Sequence, residues 1–130
     1  NTSAAEIAKR ITPRTRAILV THITGRPVDM EPVMDLADEH GLYVIEDCAQ
    51  AHGTLLFCRK APCGSCTSAG SAVCVGRKAG TFGHLATFST MFGKQHACGG
   101  QGGFVYTRDE NLYWRVRRHA DRGKPFGISL

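Results

Sequence analysis

The sequence predicts an α/β fold, a mostly parallel sheet flanked by helices, and three observations predict it. Two apolar runs, 16–22 and 42–47, each turn polar at the carboxyl end, as strands buried on both faces of a parallel sheet do. Between them lies a stretch whose apolar residues recur at helical spacing, which makes a strand–helix–strand unit with a right-handed crossover. Two further apolar runs and a final helical stretch extend the same rhythm. A chain of 130 residues with 42% hydrophobic content has enough apolar material for one core, so a single domain or a piece of one is expected.

Each element has a local cause. Ser3-Ala4-Ala5-Glu6 has capping-box spacing and opens a short amphipathic helix that ends before Pro13. The run Arg16-Ala17-Ile18-Leu19-Val20-Thr21-His22 is the first strand, and Gly25-Arg26-Pro27 is a turn. Asp29 is placed to cap a helix from about Met30 to His40. Met30, Val33, Met34 and Ala37 form its apolar face, and Gly41 provides a left-handed stop. Leu42 to Asp47 is the second strand, Leu85 to Ser89 the third and Gly103 to Thr107 the fourth. Arg108 to Asp121 reads as a helix with Leu112, Val116 and Ala120 on one side. Ligands on such sheets bind beyond the carboxyl ends of the strands, where His22, Asp47 and Ser89 fall.

Charge and hydropathy exclude some function classes. The net charge is +5, but acidic residues are interspersed along most of the chain. The basic cluster Arg115-Val116-Arg117-Arg118-His119 suits the solvated side of a helix or a site for a phosphorylated ligand better than a nucleic-acid face. No window approaches the roughly 18 apolar residues of a membrane span. The first residues are polar and small, without the basic and apolar stretches of a signal peptide. Both ends read as cut, which suggests a fragment.

Residues 58–75 break the rhythm. They hold four cysteines and neither helical nor strand period. Cys58-Arg59-Lys60-Ala61 opens the segment, and Gly76-Arg77-Lys78-Ala79 repeats three of those residues eighteen positions later, so an insertion in a surface loop is expected. Cys58-x4-Cys63-x2-Cys66 is also the spacing of plant-type [2Fe–2S] ligands, with Cys74 or Cys98 as a fourth. A zinc site could use Cys63 and Cys66 with two more thiolates, but there is no second CxxC pair. An exposed loop carrying a disulfide or free thiols is the simpler reading; an iron–sulfur or zinc binding module is the alternative function. A noncatalytic assembly domain on the same sheet is another.

The candidate chemistry centres on Lys94. It follows an apolar strand, five residues after Ser89, and precedes Gly99-Gly100-Gln101-Gly102-Gly103. A lysine partly desolvated at a strand mouth can act as a neutral amine and attack a carbonyl, as in a Schiff base. A pyridoxal phosphate enzyme needs such a lysine, an acid that keeps the ring nitrogen protonated, and donors for the phosphate. Lys94, Asp47 and Ser89 can fill these roles in turn. Taken singly, Asp47 is equally an ordinary strand-end residue, Ser89 a strand hydroxyl and Lys94 a surface charge. Their joint occurrence in this order is what favours the chemistry.

Val28-Asp29-Met30, Val44-Ile45-Glu46-Asp47-Cys48-Ala49-Gln50-Ala51-His52-Gly53, Gly80-Thr81-Phe82-Gly83-His84, Phe88-Ser89-x4-Lys94 and Arg118-His119-Ala120-Asp121-Arg122-Gly123 together resemble the DegT/DnrJ/EryC1/StrS family of sugar aminotransferases. The resemblance implies part of the large domain of a fold type I pyridoxal 5'-phosphate enzyme over 1–130. The rest of that domain would lie before Asn1 and a small domain beyond Leu130. It implies a Schiff base on Lys94, Asp47 against the pyridinium nitrogen, Gln50 near the phenolic oxygen and Ser89 on the phosphate. It also implies transfer of an amino group, with glutamate as donor, to a nucleotide-linked keto sugar in polysaccharide or secondary-metabolite biosynthesis. The setting implied is a cytoplasmic homodimer. Relatives with histidine at the lysine position act as dehydratases, so Lys94 favours transamination. The 58–75 insertion and the missing flanks are the departures from the family pattern, and they leave open whether the fragment is active.

Overall fold

The computed structural model describes residues 1–57 and 76–120. Helix α1 (Ala4–Ala8) starts where the capping box places it, with the Ser3 hydroxyl accepting the Glu6 amide at 3.4 Å. Strand β1 (Ala17–Thr21) leads through a short 3-10 turn, Ile23–Gly25, to α2 (Met30–His40). Asp29 occupies the N-cap position, and Pro32 lies in the first turn, where a missing N–H costs no helical bond. Gly41 ends α2 at φ 62° and ψ 39°, the left-handed cap its residue type allows. Then come β2 (Tyr43–Asp47), a two-residue pair β3 (Leu55–Leu56) and β4 (Arg77–Lys78), β5 (Leu85–Ser89), β6 (Gly103–Tyr106) and α3 (Glu110–Ala120).

The main sheet has the order β1-β2-β5-β6, with the first three strands parallel and β6 antiparallel to β5. Register sorts the side chains onto two faces. Ile18, Val20, Val44, Glu46 and Ala86 lie on one face, and all are buried. α2 packs there, and Met30, Val33 and Ala37 complete the core with Val28, Leu42, Cys48, Ala51, Leu56 and Ala79. α1 lies against α2 and adds Ala4 and Ile7 at the margin.

The other face differs from the sequence expectation. β1 and β2 are buried on one side rather than both: Leu19 is 65% exposed and Tyr43 50%. Among the described residues both early helices cover the same face, so the alternate side chains of these apolar runs stay open. Asp47, Thr87 and Ser89 share that open face. α3 has no fully buried residue; Val116 and Ala120 instead border an open groove of about 450 Å³ with Thr87, Phe104 and Val105.

The 58–75 insertion lies outside the described residues, and Cys58, Cys63, Cys66 and Cys74 with it. Its flanks are described. Leu56 pairs with Arg77 and Leu55 with Lys78, so the insertion leaves and returns at the end of one antiparallel ladder. Among the described residues no helix is long and apolar enough to cross a membrane.

Candidate active site

Three segments meet at the carboxyl ends of the parallel strands: the turn after β1, the loop after β2 and the loop after β5. The turn after β1 is held from below by a buried pair. His22 and Glu46 are both fully buried, with Nε2 and Oε2 3.0 Å apart. The His22 Nδ1 accepts the Val28 amide at 3.0 Å, so the ring proton sits on Nε2 and is donated to Glu46. Glu46 also accepts three backbone amides: Gly80 at 2.7 Å on Oε2, and Phe82 and Gly83 at 2.8 and 2.6 Å on Oε1. Burial opposes the charge on this carboxylate, yet the bonds from His22 and the three amides outweigh it and hold the carboxyl below its usual range.

His22, Glu46 and Cys48 place three ligand-type atoms within 4.8 Å of one another. Their chemistry is not that of a metal centre. Both imidazole nitrogens and both carboxylate oxygens are already engaged, and burial, then the charges of Glu46 and Asp47, push the Cys48 thiol up to about 12. The sulfur of Cys98, an exposed residue, accepts from the Thr90 hydroxyl at 3.2 Å and lies 3.6 Å from the Gln101 carbonyl.

Asp47 ends β2, and its Oδ1 accepts the Ala49 amide at 3.0 Å, which turns the chain sharply after the strand. Ser89 ends β5 and sits two residues past Thr87, the partner of Asp47 across the ladder. Its hydroxyl accepts the Met91 amide at 3.4 Å, and its carbonyl takes a bond from the His52 ring at 2.9 Å. His52 lies edge-on to Phe88 and Phe104, which stack on each other at 4.6 Å.

Lys94 sits in the turn that follows, its amide bonded to the Met91 carbonyl at 2.9 Å, and its side chain is half-buried. It lines an open cleft of about 570 Å³ with Gln50, Thr24, Met91, Gly93 and Gln95. Gln50 is tied to both neighbouring segments. Its Oε1 accepts the Thr24 amide at 2.7 Å, and its carbonyl accepts from the Gln95 side chain at 3.0 Å. The structure therefore brings Lys94 and Gln50 together in one cleft. Asp47 and Ser89 do not line it; they lie on the open sheet face at the ends of adjacent strands.

These groups fit pyridoxal 5'-phosphate chemically: an amine in an open cleft, an amide donor beside it, and a carboxylate and a hydroxyl at the neighbouring strand ends. Glu46 and Thr24 escaped the reading of sequence as site-shaping residues. Glu46 carried one signal, a carboxylate at an inward position of an apolar strand.

The family model for DegT/DnrJ/EryC1/StrS aminotransferases matches residues 1–126. The chain belongs to the DegT/DnrJ/EryC1/StrS aminotransferase family. It is 41% identical over 111 residues to dTDP-3-amino-3,4,6-trideoxy-alpha-D-glucose transaminase of Streptomyces venezuelae, covering 85% of this chain and 24% of that one. A family-like fold is seen in the solved aminotransferase from Psychrobacter cryohalolentis, with a TM-score of 0.78, 37% identity and coverage of 97% of this chain and 27% of that one. Escherichia coli GDP-4-keto-6-deoxy-D-mannose-3-dehydratase, solved with bound hydrated PLP, aligns with a TM-score of 0.66 and 25% identity over 90% of this chain and 25% of its own. The chain spans about a quarter of the length of the relatives it matches.

Proposed function

We propose that this chain is the lysine-bearing part of the large domain of a pyridoxal phosphate-dependent sugar aminotransferase, one that moves an amino group from glutamate to a nucleotide-linked keto sugar. The observation that carries the reading is the shared cleft of Lys94 and Gln50 at the carboxyl ends of parallel strands, in a chain of this family. The S. venezuelae relative, a transaminase of a dTDP-linked amino sugar by its name, supports the substrate class.

When bound, pyridoxal phosphate supplies an electron sink for a carbanion next to nitrogen. The chain's residues do the rest. Lys94 Nζ would hold the cofactor's aldehyde carbon and, when free, would be the amine that moves the proton at the donor's Cα. Asp47 would hold the proton on the ring nitrogen. Gln50 would donate to the phenolic oxygen and Ser89 to the phosphate. A cytoplasmic homodimer, in which a second copy completes each site, belongs to the same proposal.

Borohydride reduction of the chain mixed with pyridoxal phosphate, followed by peptide mapping, tests it. The label is expected on Lys94 and is lost in Lys94→Arg. Equal labelling of Lys9, Lys78 and Lys94 would overturn the assignment.

A further inference from the structure

Thr24 stands out among the non-glycine residues described, being the only one of them with a positive φ, at 55° with ψ 26°. For a β-branched side chain this left-handed backbone is disfavoured, and such residues persist only where their surroundings over-determine them. The surroundings here are specific. His22, one residue before the turn, is locked by Glu46 and by the Val28 amide; its own amide is bonded to the Asp47 carbonyl at 3.0 Å. Gly25, one residue after Thr24, receives the Thr54 hydroxyl on its carbonyl at 3.1 Å. Between these anchors the strained residue points its amide at Gln50 Oε1, 2.7 Å away.

That bond has a chemical consequence. A side-chain amide has one acceptor end and one donor end. With Oε1 committed to the Thr24 amide, Nε2 is the end left to serve the cleft that Gln50 shares with Lys94. We propose that Thr24 is a positioning residue: its left-handed backbone fixes the Gln50 amide so that the cleft is offered a donor, suited to an anionic or phenolic ligand oxygen, and not an acceptor. The buried His22–Glu46 pair maintains the turn that makes this possible. The inference rests on the proposed function for the identity of the ligand, and on the turn geometry alone for the orientation.

Two measurements on the whole chain separate those supports. In the cofactor-free protein, hydrogen exchange at the Thr24 amide is expected to rise about fivefold in Gln50→Leu and to stay at the wild-type rate in Gln50→Glu, which keeps the acceptor. With pyridoxal phosphate as the probe, the pH midpoint of its visible absorbance reports the donor, because a donor at the phenolic oxygen favours that oxygen's ionised form. The midpoint is expected to move up by about one unit in Thr24→Pro, as it does in Gln50→Leu. Thr24→Gly keeps the N–H and accepts the left-handed backbone, so it should match wild type. A wild-type midpoint in folded Thr24→Pro overturns the positioning role, as does unchanged Thr24 exchange in Gln50→Leu. If Thr24→Pro does not fold, the exchange result decides. If the chain takes up no pyridoxal phosphate, the proposed function fails and exchange still decides the orientation.

Discussion

Adjacent residues on β2 have opposite fates, and the alternation of the strand is the cause. Glu46 points into the core and is spent on structure; Asp47 points to the open face and remains available at the strand end. The carboxylate of Glu46 is tolerated there because every bond it needs comes from a fixed donor, three of them backbone amides. Glu46→Gln would turn an amide NH2 toward those same donors. We expect a loss of about 3 kcal/mol in unfolding free energy, measured by urea titration, the scale for breaking a buried charged network from one side. A change within experimental scatter would mean that the loop 80–83 rearranges to suit glutamine. Asp47 was legible in the sequence as a polar strand exit, and so was Lys94. The role of Glu46 was not, because strand phase relative to the helices decides which neighbour faces inward.

At the level of elements, the cysteine-rich insertion is the feature that departs from the sheet's rhythm. Its expected boundaries, 58 and 75, fall just inside the last residues of the β3–β4 ladder, where Leu56 faces Arg77. Removing 58–75 would leave Phe57 and Gly76 as a two-residue turn. Gly76 already has φ 79°, and a Cβ there would come within 3.1 Å of the Leu56 carbonyl oxygen, so glycine is the residue this corner requires. The chain lacking 58–75 should fold cooperatively, with a stability within about 2 kcal/mol of the parent, since closing the longer loop costs only slowly growing entropy. Loss of a cooperative thermal transition in that variant would show that the insertion supports the sheet. The β3–β4 pair itself was invisible in the sequence: two residues per strand give no periodicity, and only their pairing defines them.

Across the whole molecule, the Glu46 network joins the end of β1, the start of α2 and the loop before β5, so its protonation is felt by all of them. The folded carboxyl is held below its ordinary value near 4.5. A depressed carboxyl contributes stability that is present above the unfolded value and is lost as pH falls through the folded one. The contribution of Glu46 should therefore be level from neutral pH down to about 5 and then be lost with acid, followed by circular dichroism at fixed urea. Glu46→Gln should show a shallower acid slope; an equal slope would assign the acid sensitivity to other carboxylates. The sequence by itself determined the α/β class, the limits of the helices and main strands, the family and the order of candidate residues, because periodicity, caps and motifs are local. The tertiary structure alone decided that Lys94 and Gln50 share a cleft, that among the described residues one sheet face stays open, and that Thr24 is held in a strained turn. Those outcomes depend on register and on contacts between residues distant in the chain, which no local pattern encodes.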